Sequence, residues 1–281
     1  MGSAQSPYGI PSHTLAKARG AAANVAIGLK LDGAKANAAE LRAVPAEAFA
    51  GVGGPAASLS PSFVVGDRKL PQPILASFQK GSEAQVPLII GSTSDDGSVA
   101  AAVGIDPAAL VGKLGAARIA VRSLYPKELT DAQLGRQTAR DVAFSAFARR
   151  IAYLHSARAP TWRYYDDYVG EGMRAQQQSG VPHGADIPYT MGTAAGCGCL
   201  GAPATARDAP AQRASQRWFD FAGSGTPMPG EAEAWLRDGR RDARLLQFSE
   251  TADTVRADFM APRLNAFIGA LNLTGTLGRS K

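Results

Sequence analysis

The sequence predicts an α/β fold, with a mostly parallel sheet flanked by helices. Three short apolar runs have the length and bounds of buried strands, at residues 86–90, 161–165 and 245–248. Segments of helix-forming composition separate these runs, and this alternation is typical of a sheet covered by helices. The composition is that of a globular chain, because apolar residues make up 45% and charged residues 19% of its 281 residues.

The strand predictions rest on local apolar runs. Residues 86–90 read Val-Pro-Leu-Ile-Ile and are bounded by polar residues and Gly91, as expected of a strand in a parallel sheet with both faces buried. Residues 161–165, Thr-Trp-Arg-Tyr-Tyr, and residues 245–248, Leu-Leu-Gln-Phe, are shorter candidates. A further short apolar run, at residues 63–65, follows a loop rich in Gly, Pro and Ser.

Helices are predicted between these strands. Residues 12–30 are rich in Ala and Leu, and Ser12 is a suitable N-cap. The longest helix is expected at 131–157, where apolar residues recur at helical spacing, among them Phe144 and Phe147, and are expected to pack in the core. The other predicted helices span residues 34–43, 72–80, 107–114, 205–222 and 253–269.

The charge pattern gives no support for nucleic-acid binding. The chain carries 30 Lys and Arg against 24 Asp and Glu, a net charge of +6. Its densest basic run, residues 237–244, is interrupted by Asp238 and Asp242 and is interpreted as a solvated surface. No apolar stretch approaches the roughly 18 residues needed to span a bilayer, so no membrane span is expected.

No cofactor and no metal are expected. Two cysteines, Cys197 and Cys199, do not make a disulfide framework, and a metal site needs more ligands than these. Residues 196–201 fit the pattern G-x-G-x-x-G, but a dinucleotide site needs a strand before the motif and a helix directly after it. The weak preceding strand and Pro203 argue against that interpretation.

Two adjacent acids follow the first long strand. Asp95, Asp96 and Gly97 come just after residues 86–90, and ligands of open α/β sheets gather at the carboxyl ends of strands. The alternative is an ordinary turn, since Asp and Gly are common turn residues.

A histidine lies in a constrained loop. His183 stands between Pro182 and Gly184, which would fix one orientation of the ring, as a general base requires. The alternative is a surface histidine in a loop. His13 and His155 lie near predicted helix ends and are interpreted as structural or exposed.

Taken together, five blocks of the sequence resemble the type-B carboxylesterase/lipase family, which includes the cholinesterases and has the α/β-hydrolase fold. Residues 86–98 are similar to the block V-P-L-I-I-G-x-x-x-D-E-G-S, and residues 181–189 to x-x-H-G-x-E-I-P-Y. The other three blocks are residues 2–7, 61–71 and 218–230.

The resemblance implies roles for four residues. Asp96 takes the place of the catalytic acid, which is usually Glu in this family, and His183 takes that of the catalytic histidine. Asp95 is a minor rival for the acid, and Asp186 is expected to support the histidine. Because Asp is one methylene shorter than Glu, the acid loop must lie closer to the imidazole.

The nucleophile segment of the family has no counterpart here. No serine has Gly at both second-neighbour positions, as the G-x-S-x-G elbow requires, and Ser224 comes nearest. The Gly-rich oxyanion loop is also absent from the sequence. The resemblance therefore implies that residues 1–281 form the C-terminal portion of an α/β-hydrolase domain.

The implied function is hydrolysis of small-molecule carboxylic esters, although the chain alone is expected to be inactive. The alternatives are a non-catalytic, cholinesterase-like binding module and an inactive truncated fragment. With part of the sheet missing, exposed strand edges are expected to make the chain poorly soluble or self-associating.

Overall fold

The computed structural model describes five stretches of the chain, residues 13–52, 63–102, 104–194, 209–228 and 235–277. Ser12, the block at residues 2–7 and both cysteines lie outside these stretches.

Two sheets organise the described residues. The strands are β1 (His13–Thr14), β2 (Val64–Val65), β3 (Leu88–Thr93), β4 (Thr161–Asp166), β5 (Arg244–Phe248) and β6 (Thr254–Ala257). β1 and β2 form a small parallel pair, and the other four form a sheet in the order β3-β4-β5-β6. β3, β4 and β5 are parallel, whereas β6 is antiparallel to β5. The predicted strands and the mostly parallel sheet are thereby confirmed.

Helices fill most of the connections between the strands, and a last helix follows β6. They are α1 (Leu15–Gly28), α2 (Ala38–Ala43), α3 (Ala46–Ala50), α4 (Ile74–Lys80), α5 (Ser98–Ala102), α6 (Pro107–Lys113), α7 (Ala117–Arg122), α8 (Asp131–Arg140), α9 (Ala146–His155), α10 (Ile187–Thr190), α11 (Ala209–Ser224) and α12 (Ala261–Leu277). Within the described stretches, none of them combines the length and apolar character needed to cross a bilayer.

The prediction of one helix over residues 253–269 is wrong in its first part. Residues 254–257 form β6, in which Val255 lies opposite Leu246 of β5, and α12 begins only at Ala261. Pairing with β5 outweighs the local helical pattern here, because the β-branched Thr254 and Val255 suit a strand.

Two other helices differ from their predictions. The helix expected at 12–30 begins at Leu15, and its N-cap is Thr14, whose hydroxyl accepts the N–H of Lys17 at 3.3 Å. The long helix expected at 131–157 is divided by a π-helical turn, Asp141–Ser145, between α8 and α9. Such turns widen the helix and redirect the side chains on them.

The two faces of the sheet pack against different helices. On one face, Trp162 and Phe248 join Trp235 in an aromatic cluster against which Trp218 of α11 packs. On the other face, Ile90 packs with Phe147 and other residues of the segment that contains α9. The register pairs Thr93 with Asp166, so the loops after β3 and β4 start at the same edge of the sheet.

Candidate active site

The loop that follows β3 carries the two aspartates. Asp96 is buried, and its Oδ2 accepts the N–H of Thr93 at 2.7 Å. This bond turns the carboxylate back over the end of the strand and leaves Oδ1 for a second partner.

The loop containing the histidine is joined to the acid loop by three hydrogen bonds, one between backbone groups and two from backbone N–H groups to serine hydroxyls. The N–H of Asp95 donates to the carbonyl of Val181 at 2.9 Å, and the N–H of Val181 donates to Ser94 Oγ at 2.8 Å. The N–H of His183 donates to Ser98 Oγ at 2.9 Å. Two segments 87 residues apart in the chain are therefore held in register.

Gly180 permits this close approach. Its φ of +111° favours glycine, and a Cβ at this position would lie 2.4 Å from Ser94 Oγ. A side chain here would push the histidine loop away from the acid loop.

His183 and Asp96 meet across the two loops. His183 Nδ1 lies 2.7 Å from Asp96 Oδ1. Because a carboxylate only accepts, Nδ1 carries the shared proton and Nε2 of the neutral ring is left as the base. The hydrogen bond to Asp96 raises the pKa of His183 above its usual value, against the opposing effect of burial, and the charges of Asp96 and Asp186 add to the rise.

Exposure divides the pair into a buried acid and an accessible base. The side chain of Asp96 is 5% exposed, whereas that of His183 is 33% exposed. The imidazole is therefore accessible to a ligand from solvent, while the carboxylate of Asp96 is shielded from solvent.

Asp95 faces away from the imidazole. Both of its carboxylate oxygens bond the guanidinium of Arg136 from α8. Burial raises the pKa of Asp95, and the bond to Arg136 opposes this rise. The structure thus brings Asp96 to His183 and gives Asp95 a different partner.

Asp186 contacts a tyrosine. Its Oδ2 accepts the hydroxyl proton of Tyr164 at 3.1 Å. Burial raises the pKa of Asp186, and the Tyr164 bond opposes that rise. Asp186 and His183, both described, share no hydrogen bond, so Asp186 acts on the imidazole as a nearby charge.

A cavity of about 500 Å³ opens beside the pair. His183 and Asp96 form part of its wall, and most of the other walls are apolar, with Phe144, Phe147 and Trp218 among them. The ring of Phe144 lies 4.9 Å from that of His183, centroid to centroid. Phe144, which belongs to the π-helical turn, therefore lines the cavity instead of filling the core as its helical spacing predicted.

Sequence reasoning missed Arg136, Phe144 and Ser98 as neighbours of the site. Arg136 lies 41 residues from its partner Asp95, and Ser98 lies 85 residues from His183. Ser98 ends the block at residues 86–98, but the block does not indicate its bond to the histidine loop, and no local motif marks the contacts of Arg136 or Phe144. Ser224, the serine with the nearest match to the elbow, is a helix-terminal residue whose hydroxyl donates to the carbonyl of Asp220 at 2.8 Å.

The described part of the chain holds no group of three or more His, Cys, Asp and Glu side chains placed to bind a metal ion. The G-x-G-x-x-G segment at residues 196–201 and both cysteines lie outside the described residues.

Comparison with known proteins points to one family. The sequence profile described as the carboxylesterase family matches residues 126–267. No curated protein gives a significant match.

Solved structures resemble the chain in fold. A PNB esterase has a TM-score of 0.63 at 20% identity, a thermophilic PNB esterase 0.65 at 20%, and the carboxylesterase EST55 of Geobacillus stearothermophilus 0.69 at 18%. Each match covers 91% of this chain and 55% of the other. The chain thus spans about half the length of these structures and shares the fold of that part.

Proposed function

The chain belongs to the carboxylesterase family, and from this premise we propose that it supplies the acid and the base of a serine carboxylic-ester hydrolase. Asp96 is the acid and His183 the general base. The observation that carries the proposal is the 2.7 Å contact between His183 Nδ1 and Asp96 Oδ1 at the wall of a largely apolar cavity.

The chemistry follows from the tautomer that Asp96 imposes. With its proton on Nδ1, His183 accepts a proton from an attacking serine hydroxyl at Nε2. Asp96 then stabilises the imidazolium, and His183 returns the proton to the leaving alcohol. Water repeats the cycle on the acyl-enzyme, and the serine is released.

The serine and the oxyanion donors come, in this proposal, from outside the 281 residues. No G-x-S-x-G is present in the sequence, and in the α/β-hydrolase fold the triad runs in the order serine, acid, histidine. Residues 1–281 are then the C-terminal portion of the hydrolase domain, in keeping with a match that covers 55% of the solved structures.

The wall of the cavity next to His183 is apolar, and the ring of Phe144 lies against the imidazole. An ester with an apolar acyl or alcohol part suits this wall. Another part of the wall, residues 87–93, runs along the unpaired edge of β3, which the upstream segment would cover in this proposal. The size of the substrate site is therefore set by the whole protein.

A second candidate is a binding module that holds esters without hydrolysing them. The absence of a G-x-S-x-G elbow from the sequence favours it. It predicts retention of an ester or its analogue with no His183-dependent turnover in any form of the protein.

Activity of the chain expressed together with its native upstream coding sequence tests the proposal. We expect hydrolysis of p-nitrophenyl acetate and labelling of one serine by a fluorophosphonate. His183→Ala and Asp96→Ala should each lower kcat by roughly 10³-fold or more. His13→Ala, a change to a histidine of β1, should leave kcat unchanged.

Two results would overturn the proposal. One is an upstream coding sequence without a G-x-S-x-G motif. The other is ester hydrolysis that survives His183→Ala, since such turnover would not use the imidazole. Retention of the ester without serine labelling would instead favour the binding module.

A further inference from the structure

A second cavity lies away from His183. Its volume is about 300 Å³, and it lies between α9, α12 and the segment before β5. Four arginines and a single carboxylate line it: Arg149, Arg150, Arg163, Arg240 and Asp238. Of the described residues, none lines both this cavity and the one at His183. We name it the arginine cleft.

The carboxylate of the arginine cleft is already engaged. Arg163 Nε donates to Asp238 Oδ2 at 2.7 Å, and the N–H of Arg244 donates to Oδ1 at 2.9 Å. Arg163 and Asp238 are both buried and neutralise each other. The other three guanidinium groups therefore have no counter-charge in the wall of the cleft.

Arg149 is largely buried. Its side chain is 13% exposed, and its Nε donates to Asn265 Oδ1 at 3.0 Å. The carboxylate of Asp258 is 3.8 Å away and largely in solvent. Its Nη1 is buried and bonds no other described residue. Burial and the nearby charge of Arg163 lower the pKa of Arg149, as expected where positive charge is in excess.

Arg150 and Arg240 are held over one tyrosine ring. The guanidinium carbons lie 5.8 Å and 4.9 Å from the centroid of Tyr153. Arg150 Nε is buried and has no hydrogen-bond partner in the described stretches, while Arg240 Nε donates to the carbonyl of Tyr153 at 3.3 Å. These contacts place the charged groups around the cleft before anything binds.

We propose that the arginine cleft binds a doubly charged oxyanion of the phosphate type, either free phosphate or the phosphate group of a small monoester. Buried donors without partners are costly, and a phosphate supplies acceptors to guanidinium groups that approach from several sides. A carboxylate offers only two oxygens in one plane. The volume, at the lower end of ligand-site sizes, leaves room for a small group attached to the phosphate.

Calorimetric titration of the intact chain tests this inference with three probes at constant ionic strength. Inorganic phosphate and phenyl phosphate represent the two sources, and benzoate is the carboxylate counterpart of phenyl phosphate. We expect saturable binding of at least one phosphate probe, at least about tenfold tighter than that of benzoate. The stronger phosphate probe identifies the source.

Variants locate the binding. Arg150→Gln and Arg240→Gln should each weaken phosphate binding about tenfold, whereas Arg42→Gln, the same change on an exposed residue of α2, should not. Circular dichroism verifies that each variant is folded. The absence of saturable binding, equal binding of benzoate, or an equal loss in Arg42→Gln would each overturn the inference. Because binding is measured without ester turnover, the result is independent of the proposed hydrolase activity.

Discussion

Asp95 and Asp96 are neighbours in the chain, yet their carboxylates have unrelated partners. Asp96 bonds His183 at the cavity, while Asp95 bonds Arg136 on α8. Successive side chains of a tight loop point in different directions, so one acid faces the histidine loop and the other faces the helices. Both residues are aspartates, so the difference between their hydrogen-bond partners comes from their surroundings and not from their residue type.

The first prediction concerns the pKa of His183. Asp96→Asn keeps the shape of the side chain but removes its charge, so the rise that the carboxylate causes should disappear and the pKa should fall. Titration of the His183 ring protons by NMR measures the change. Asp32→Asn, at an exposed acid, should leave it unaltered. An unchanged pKa in Asp96→Asn would contradict the assigned contact.

The same pair makes stability depend on pH. Because the folded pKa of His183 is raised, the pair stabilises the fold fully below the usual histidine value of 6.5. That contribution is lost as the pH rises through the folded pKa. The difference in unfolding free energy between the wild type and Asp96→Asn should therefore shrink as the pH rises from 6.5 through the folded pKa of His183. Urea titrations at several pH values would measure this change.

A third prediction compares how much a half-buried ion pair and an exposed ion pair contribute to the free energy of unfolding. Arg136→Gln leaves the buried carboxylate of Asp95 without its charged partner and should lower the free energy of unfolding by about 1–3 kcal/mol. Arg118→Gln removes an exposed pair with Asp131 and should cost about 0–1 kcal/mol. Chemical denaturation compares the two, and equal losses would contradict the burial of Asp95.

At the scale of elements, α6 and α8 approach each other closely at one glycine. A Cβ on Gly135 of α8 would lie 1.8 Å from the carbonyl oxygen of Pro107, whereas a Cβ on Gly112 of α6 would meet nothing within 4 Å. The two helices therefore depend on a residue without a side chain at this crossing.

This geometry gives a fourth prediction. Gly135→Ala should lower the free energy of unfolding by about 1–3 kcal/mol because the helices must separate. Gly112→Ala should leave it unchanged or raise it by up to about 1 kcal/mol, since Ala favours helix. Thermal or urea unfolding of both variants measures the contrast. Equal effects would mean that the helices do not touch at Gly135.

On the scale of the whole molecule, the sheet has an unpaired edge. β3 is the first strand in the order β3-β4-β5-β6, and no described strand pairs with its other side. Its backbone groups on that side are available to another strand. Large apolar side chains, among them Ile119 and Phe219, are also exposed.

The fifth prediction follows from this edge. The isolated chain should associate with itself, with an average mass by light scattering that rises above that of one chain as concentration increases. A monomer over the whole range would contradict the prediction. Expression with the upstream coding sequence used in the ester assay should reduce the association if that segment covers β3.

The sequence by itself determined the features that depend on neighbouring residues. Apolar runs marked the strands now seen as β3, β4 and β5, and the flanking residues of Asp96 and His183 marked both as candidates. Burial patterns and turn residues act over a few positions, so they can be recognised in one chain without its fold.

Only the tertiary structure decided which groups meet. It brought Asp96 rather than Asp95 to His183, paired residues 254–257 with β5, placed Phe144 at the cavity, and collected the arginines of the arginine cleft. Most of these outcomes depend on contacts between segments far apart in the chain, such as Asp96 and His183, which are 87 residues apart, whereas β6 pairs with the nearby β5. The free energy of each such contact depends on how the whole chain packs, and a local sequence pattern carries no information about that packing.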